Sequence, residues 1–250
     1  MAFMIEKLLG LVMVLTRISA LFLVIPVFSW KSIPVRIKVA MTLLLAIFFS
    51  MIKPLPISTS QVSLAEAILL ISNEATYGLA LGLIVSFIFT AVRLGGRIIE
   101  RQIGLAMAQI LDPLTGERTQ PISSLLEMMF ILLFLYANGH HLFLSIIYRS
   151  YEAFPAGSTP TLSILTSGVI QASSAMLTAS LKLAAPILAA FVLLMIALAV
   201  LARIVPEMNI LFISLPLRVG LGILMVMIFL PFFGSFISEF SELMNKLLPL

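Results

Sequence analysis

Residues 65–101 read AEAILLISNEATYGLALGLIVSFIFTAVRLGGRIIER. The part from Ala65 to Val92 is almost entirely apolar and is longer than the roughly 20 residues that an α-helix needs to cross a bilayer. It nevertheless contains Glu66 and Glu74, and a strongly charged segment follows it directly. This stretch therefore predicts a long membrane-type helix that carries ionisable side chains.

The composition of the whole chain points the same way. Of its 250 residues, 61% are hydrophobic and only 10% are charged, whereas globular domains are about 45–50% apolar and about 25% charged. Too few polar side chains exist to cover a soluble surface, so the protein is expected to be an integral membrane protein or an obligate part of an apolar assembly. The net charge of +4 then indicates the positive-inside bias of membrane proteins rather than nucleic-acid binding.

Other apolar runs of about span length accompany the first. They are Leu8–Phe28, Val39–Ile52, Ser123–Tyr148, Leu162–Ala202 and Ile210–Ile237. Val39–Ile52 is long enough only if the stretch from Val35 joins it, and Leu162–Ala202 is expected to divide at Lys182–Pro186. No strand-like alternation persists. The predicted fold is all-α, a hydrophobic multi-helix membrane-associated subunit with about six span-length helices.

Ionisable residues recur inside these apolar runs. They are Arg17, Glu74, Glu127, Lys182 and Arg218. An Arg, Lys or Asp at the centre of a membrane helix costs about 2.5–3.5 kcal/mol on insertion scales, so these groups must face partners, water or headgroups. A polar pathway or a subunit interface is one interpretation, and snorkelling combined with pairing inside the chain is the other. The sequence does not indicate which charges pair.

The segment RLGGRIIER, residues 93–101, places its charges together. At about 100° per residue, Arg93, Arg97, Glu100 and Arg101 fall on one helical face, and Arg97 can reach Glu100 at i+3. The segment is therefore either an amphipathic continuation of the preceding span or a charged ring at the mouth of a channel.

Residues 104–123, GLAMAQILDPLTGERTQPIS, interrupt the apolar pattern with charged and turn-forming residues. On composition alone they form a solvent-facing connector. Elsewhere, His140 and His141 are adjacent, so on a helix they point about 100° apart and cannot share a metal as i, i+4 ligands do. No nucleophile elbow, P-loop or zincin signature occurs. The sequence therefore predicts no enzyme activity, no catalytic residue, no metal site and no cofactor.

Three segments together resemble one family. They are residues 16–41 (TRISALFLVIPVFSWKSIPVRIKVAM), 93–123 (RLGGRIIERQIGLAMAQILDPLTGERTQPIS) and 201–224 (LARIVPEMNILFISLPLRVGLGIL). In this order, and at this chain length, they resemble the FliR/SctT family of export-apparatus membrane proteins, with a central block that is more flagellar than injectisome-like. The resemblance covers essentially the whole chain.

That resemblance implies a structural component of the flagellar type III export apparatus in the bacterial inner membrane and flagellar basal body. Such a subunit completes a portal with FliP and FliQ, meets FlhB at the cytoplasmic entrance, and passes unfolded flagellar substrates. Its helices form hairpins in a cone-like assembly beside membrane lipid. The resemblance further implies one domain over residues 1–250, in which 1–200 are FliP-like and about 160–250 include a FliQ-like hairpin.

The resemblance also gives the central loop, residues 104–123, a role as a plug that closes the channel at rest. The residues carried over are Met107, Ile110, Leu111, Asp112, Pro113, Gly116, Glu117 and Arg118. Met107, Ile110 and Leu111 would form the apolar stopper, because unbranched Met adapts to irregular gaps and an apolar constriction can gate by dewetting. Family members often have aromatic residues here, so the stopper of this chain is expected to differ in size.

Residues expected at subunit contacts complete the candidate sites. They are Arg17, Arg203, Pro206, Glu207, Asn209 and Arg218. Arg203 and Glu207 flank the turn at Pro206 and are expected to fix a contact together with Asn209. Two alternatives stay open: a secondary transporter that uses Glu74, Lys182 and Arg218 as ligands, although no internal symmetry of the kind common in transporters is visible, and a membrane assembly factor without a pore.

Overall fold

The computed structural model describes residues 2–26, 33–52, 63–104, 120–158, 162–207 and 209–232. Within these ranges the chain is helical and contains no strand. The helices are α1 (Ala2–Val24), α2 (Val35–Ile52), α3 (Leu64–Ile103), α4 (Pro121–Tyr136), α5 (Gly139–Ala153), α6 (Leu162–Ile204) and α7 (Ile210–Phe229), and a 3-10 turn at Leu230–Phe232 follows α7. The all-α expectation is confirmed.

The count of span-length helices also agrees with the sequence. In the described part of the chain, α1, α2, α3, α6 and α7 are each long and apolar enough to cross a membrane, and α4 with α5 passes the same test as a pair bent by 74°. The expected division of the run Leu162–Ala202 at Lys182–Pro186 is wrong, because α6 continues through Pro186. A proline removes one backbone hydrogen bond, a loss that membrane-type helices tolerate.

Local sequence signals begin and end the helices that carry the charges. A reciprocal capping box starts α3: the Ser63 N–H donates to Glu66 Oε2 at 2.8 Å, and the Glu66 N–H donates to Ser63 Oγ at 3.3 Å. Glu66 thus lies at a helix end rather than within a span. Gly104, with φ of +90°, ends α3, since glycine adopts the left-handed region without the penalty that a Cβ imposes. The bend between α4 and α5 occurs at Asn138, which has φ 61°.

The chain divides into two compact units. Among the described residues, the first unit takes residues up to 87 and 135–173, and the second takes 88–134 and 174 onward. Among the described residues, all three boundaries fall inside helices, within α3, α4 and α6.

In the first unit, α1 packs closely against α3. A Cβ at Gly82 would lie 2.9 Å from the Leu21 carbonyl oxygen, and one at Gly78 would overlap the Arg17 carbonyl oxygen. Two glycines four residues apart let the helix backbones approach each other, as small residues do in membrane helix pairs. Phe49 of α2 contacts Tyr151 of α5 at a centroid distance of 6.2 Å.

The core of the second unit is aromatic where α3 meets α4. The ring centroid of Phe89 lies 5.5 Å from that of Phe130 and 5.5 Å from that of Phe134, both with edge-to-face geometry. Side chains of α6, including Leu183 and Phe191, are also fully buried. These contacts hold the segment of α3 that precedes its charged end.

Candidate functional site

The arginine near the middle of α1 is buried in the first unit. Arg17 is 2% exposed, and its Nε donates to Glu74 Oε2 of α3 at 2.6 Å. Its Nη1 donates to the carbonyl oxygens of Ser150 at 3.2 Å and Phe154 at 3.1 Å. These carbonyls lie at the C-terminal end of α5, where the helix dipole favours a cation. One guanidinium therefore binds α1 to α3 and to the end of α5.

Aromatic rings and a loop complete this arrangement. The Arg17 Cζ lies 4.6 Å from the Tyr77 ring centroid and 4.1 Å from that of Tyr151, close enough for cation–π attraction. The second carboxylate oxygen of Glu74 accepts the Gly157 N–H at 2.8 Å. The term Arg17 cluster is used below for Arg17, Glu74, Tyr77, Ser150, Tyr151, Phe154 and Gly157. Its ion pair is buried, and both carboxylate oxygens of Glu74 and two guanidinium nitrogens of Arg17 are hydrogen-bonded.

A second ion pair lies in the second unit, at the junction of α3 with α4. Arg93 Nε donates to Glu127 Oε2 at 2.8 Å, and its Nη2 reaches Oε1 of the same carboxylate. Ser123 Oγ donates to the Arg93 carbonyl at 2.9 Å. A Cβ at Gly96 would lie 2.7 Å from Ser123 Cα, so the two helices touch there. Arg93, Gly96, Ser123 and Glu127 are called the Arg93 clasp.

The charges beyond the clasp do not share one environment. Arg97 is exposed, and its Nε donates to Gln120 at 2.8 Å rather than to Glu100. Glu100 is 3% exposed, and neither of its carboxylate oxygens is hydrogen-bonded among the described residues. Arg101 is exposed. The segment continues α3, as one of the two interpretations expected, and buries one of its four charges.

The expected plug lies outside the described residues. This holds for Met107, Ile110, Leu111, Asp112, Pro113, Gly116, Glu117 and Arg118. The residues on each side are described: α3 ends at Ile103 and α4 begins at Pro121. The Arg93 clasp joins these two helices.

The residues expected at subunit contacts are dispersed. Arg203, Pro206, Glu207 and Asn209 are exposed around the turn between α6 and α7. Arg218 lies within α7 and is half-buried, and its Nε has no hydrogen-bond partner among the described residues. Arg17 makes its contacts inside the chain, within the Arg17 cluster. A role for any of these residues at a subunit contact stays a prediction.

Sequence reasoning singled out the charged members of both ion pairs and missed their neutral neighbours. The backbone acceptors at Ser150 and Phe154 carry no sequence signal, because any residue supplies a carbonyl. The one usable signal was Tyr77, an aromatic residue one helical turn after Glu74 in a segment of small and apolar residues. No group of three or more His, Cys, Asp or Glu side chains suited to a metal occurs within the described ranges, and the exposed His140 and His141 rings lie 4.3 Å apart.

Comparison with known proteins identifies the family. Residues 8–244 match the family described as bacterial export proteins, family 1. The chain is 31% identical over 234 residues to the flagellar biosynthetic protein FliR of Escherichia coli, covering 93% of this chain and 89% of that protein. It is 30% identical over 224 residues to the same-named protein of Bacillus subtilis, covering 86% and 84%.

A translocation protein has a similar level of identity. The Yop proteins translocation protein T of Yersinia pestis is 28% identical over 230 residues, covering 90% of this chain and 87% of that protein. The match extends over nearly the whole length of each relative, and it includes the helices that carry the Arg17 cluster and the Arg93 clasp. The chain therefore belongs to family 1 of the bacterial export proteins, and over most of its length it is similar to FliR and to the Yop translocation protein T.

Proposed function

We propose that this protein is a structural channel component of the flagellar type III export apparatus. The observation that carries the proposal is the match to flagellar FliR over 93% of the chain. The flagellar part of the proposal rests on the resemblance of the central block, residues 93–123, to flagellar members, because the FliR proteins are 27–31% identical to this chain and the Yersinia translocation protein, at 28%, lies within that range.

The direct test is deletion of the gene in the organism of origin. We expect the deletion strain to stop swimming in soft agar and to stop secreting flagellar substrates into the medium. A plasmid copy should restore both, and a frameshifted copy serves as the control. A deletion strain that swims and secretes normally would overturn the proposal.

The finer proposal is that the chain completes a portal with FliP and FliQ, is contacted by FlhB, and passes unfolded substrates. The apolar faces of α2 and α7 support it, because most of their large side chains are exposed in the chain by itself and so need lipid or protein to cover them. Co-expression with FliP and FliQ should yield one defined complex on purification. Recovery of the tagged chain alone under those conditions would contradict it.

A resting plug formed by the central loop is proposed as well. Its support is the family resemblance, together with the Arg93 clasp that joins the two helices flanking the loop. Deletion of Met107–Arg118 from the assembled complex should raise its resting ion conductance in planar bilayers. A deletion complex that conducts no more than the wild-type complex at rest would remove the plug assignment.

A subunit contact around the α6–α7 turn completes this group of proposals. Reversing both charges, Arg203→Glu with Glu207→Arg, places the wrong sign at each position of an exposed turn. We expect loss of the intact complex in native mass spectra. Unchanged assembly would exclude this contact.

The transporter alternative is disfavoured by the Arg17 cluster. Both oxygens of Glu74 are already bonded, to Arg17 and to the Gly157 N–H, so this carboxylate is a poor substrate or ion ligand. A transporter would purify alone and show substrate-dependent uptake into vesicles. An assembly factor without a pore would join the complex, yet its removal after assembly would leave conductance unchanged.

A further inference from the structure

A groove runs along the contact between α1 and α2 in the first unit. It has a volume of about 540 Å³ and is lined by Leu15, Ser19, Phe22, Leu23, Lys38, Val39, Thr42 and Leu43. This volume lies within the range of about 300–1,000 Å³ that small-molecule sites occupy. The export function proposed above assigns no role to this groove.

The wall of the groove is more apolar than its residue types suggest. The Ser19 hydroxyl donates to the Thr16 carbonyl at 3.0 Å, and the Thr42 hydroxyl donates to the Lys38 carbonyl at 2.7 Å. Both hydroxyls therefore satisfy backbone carbonyls of their own helices. A ligand in the groove meets carbon atoms over most of its length and the cationic side chain of Lys38.

The positive charge of α2 is confined to its beginning. Arg36 and Lys38 lie within the first turn, and no acidic residue occurs there. The residues from Val39 to Ile52 carry no charge at all. A molecule that complements this helix needs an anionic group at one end and an apolar body along the remainder, which is the chemistry of an anionic phospholipid.

Charge separates this ligand from an apolar helix of a protein partner. The groove presents Lys38 beside apolar side chains, and an apolar helix has no anionic group to meet it. An anionic phospholipid supplies both a phosphate for Lys38 and an acyl chain for the apolar wall.

We propose that the groove between α1 and α2 binds one acyl chain of an anionic phospholipid, with the lipid phosphate held by Lys38. This inference goes beyond the proposed export function and does not depend on it. Retention of such a lipid would fix the contact between α1 and α2 wherever the helices are not surrounded by bilayer.

The test uses the full chain, purified in detergent and incubated with vesicles of palmitoyl-oleoyl phosphatidylglycerol or of the matching phosphatidylcholine. Native mass spectrometry counts the lipids that stay bound. We expect the phosphatidylglycerol to be retained in preference, and Lys38→Gln to reduce its retention about fivefold, the effect of one basic residue near an anionic lipid. Arg36→Gln is the matched control for the loss of one positive charge from the same turn, and because Arg36 does not line the groove, we expect it to reduce retention less than Lys38→Gln does.

A second variant tests the apolar part. Leu43→Trp should fill the groove and reduce retention of phosphatidylglycerol about tenfold. Leu44→Trp is its matched control, since Leu44 is the next residue, is 66% exposed and lies outside the groove. Retaining both lipids equally, or retaining phosphatidylglycerol unchanged in both groove variants, would overturn the proposal. It would also be overturned if Leu43→Trp blocked complex assembly yet left lipid retention intact, because the groove would then be a protein contact.

Discussion

The Arg17 cluster and the Arg93 clasp are both arginine–glutamate pairs between helices, yet they differ in burial. The side chains of Arg17 and Glu74 are 3% and 1% exposed, whereas those of Arg93 and Glu127 are 39% and 12% exposed. A buried pair loses several kcal/mol of hydration per ion and becomes tolerable only when further hydrogen bonds satisfy it. In the clasp the arginine keeps access to water while its carboxylate partner is largely buried, so the pair lies between exposed pairs, which gain little, and fully buried ones. The first pair is therefore suited to fixing helices permanently, and breaking the second should cost less.

The largest expected effect comes from breaking the buried pair. Arg17→Met leaves the Glu74 carboxylate buried without its cation, and the free energy of unfolding should fall by about 3–5 kcal/mol. Thermal unfolding of the detergent-purified chain, followed by size-exclusion monodispersity after heating, measures the loss. The double variant Arg17→Met/Glu74→Leu should recover more than half of it, because no charge is then stranded. Equal losses in both variants would show that the pair is not the origin of the effect.

Substitutions of glycines at which two helices touch should give the next largest loss of stability. Both regions contain such a glycine, so the two losses can be compared directly. Gly78→Ala beside the Arg17 cluster and Gly96→Ala in the Arg93 clasp both force a methyl group into backbone atoms, at a cost of about 1–3 kcal/mol. Gly220→Ala is the control, since no atom lies within 4 Å of its new Cβ. The same heating assay should show this variant unchanged or slightly more stable. Comparable destabilisation by all three would exclude close packing as the cause, because a Cβ at Gly220 meets no atom within 4 Å and alanine is the better helix former.

The clasp pair itself should contribute less. Glu127→Gln is expected to lower the free energy of unfolding by about 1 kcal/mol, since the Arg93 guanidinium keeps its access to water and is not stranded in the interior. The charge swap Arg93→Glu/Glu127→Arg should restore most of that difference. A loss as large as that of Arg17→Met would remove the distinction between the two pairs.

The smallest effect is expected at the Tyr151 hydroxyl, which is buried and has no partner among the described residues. Tyr151→Phe keeps the ring against Arg17 and removes an unsatisfied polar atom, so stability should stay within about 0.5 kcal/mol of wild type or rise. Tyr151→Ala, measured in parallel, should lose about 3 kcal/mol or more through the cavity it creates. A clear loss in the Phe variant would mean that the hydroxyl has a partner in the folded protein.

The sequence predicted the helices better than it predicted their contacts. The length of the apolar run indicated that α2 extends from Val35 to Ile52, because the run from Val39 alone is too short to cross a bilayer. The continuity of α6 through Pro186 was missed, since a proline reads as a break when the surrounding helix is not in view. The two ion pairs could not be inferred, because Arg17 and Glu74 are 57 positions apart and each charge had several possible partners.

The candidate site, too, could be predicted from the sequence only in part. The charged residues of the site could be selected from the sequence, because an ionisable group inside an apolar run costs free energy unless another group interacts with it. This interaction came partly from the backbone carbonyls of Ser150 and Phe154, which no side-chain pattern encodes. For Glu100 the helical-face argument failed to foresee burial, because the N-terminal turn of α4 covers one edge of that face.

The continuity of α3 from Leu64 to Ile103 sets a limit on where it can lie. Its 40 residues, at 1.5 Å each, make a rod of about 60 Å. The hydrocarbon core of a bilayer is about 30 Å thick, and even a tilt of 40°, at the upper end of observed tilts, leaves about 46 Å along the membrane normal. A substantial part of this helix must therefore stand clear of the acyl chains. The charged end that begins at Arg93 is the part best able to do so.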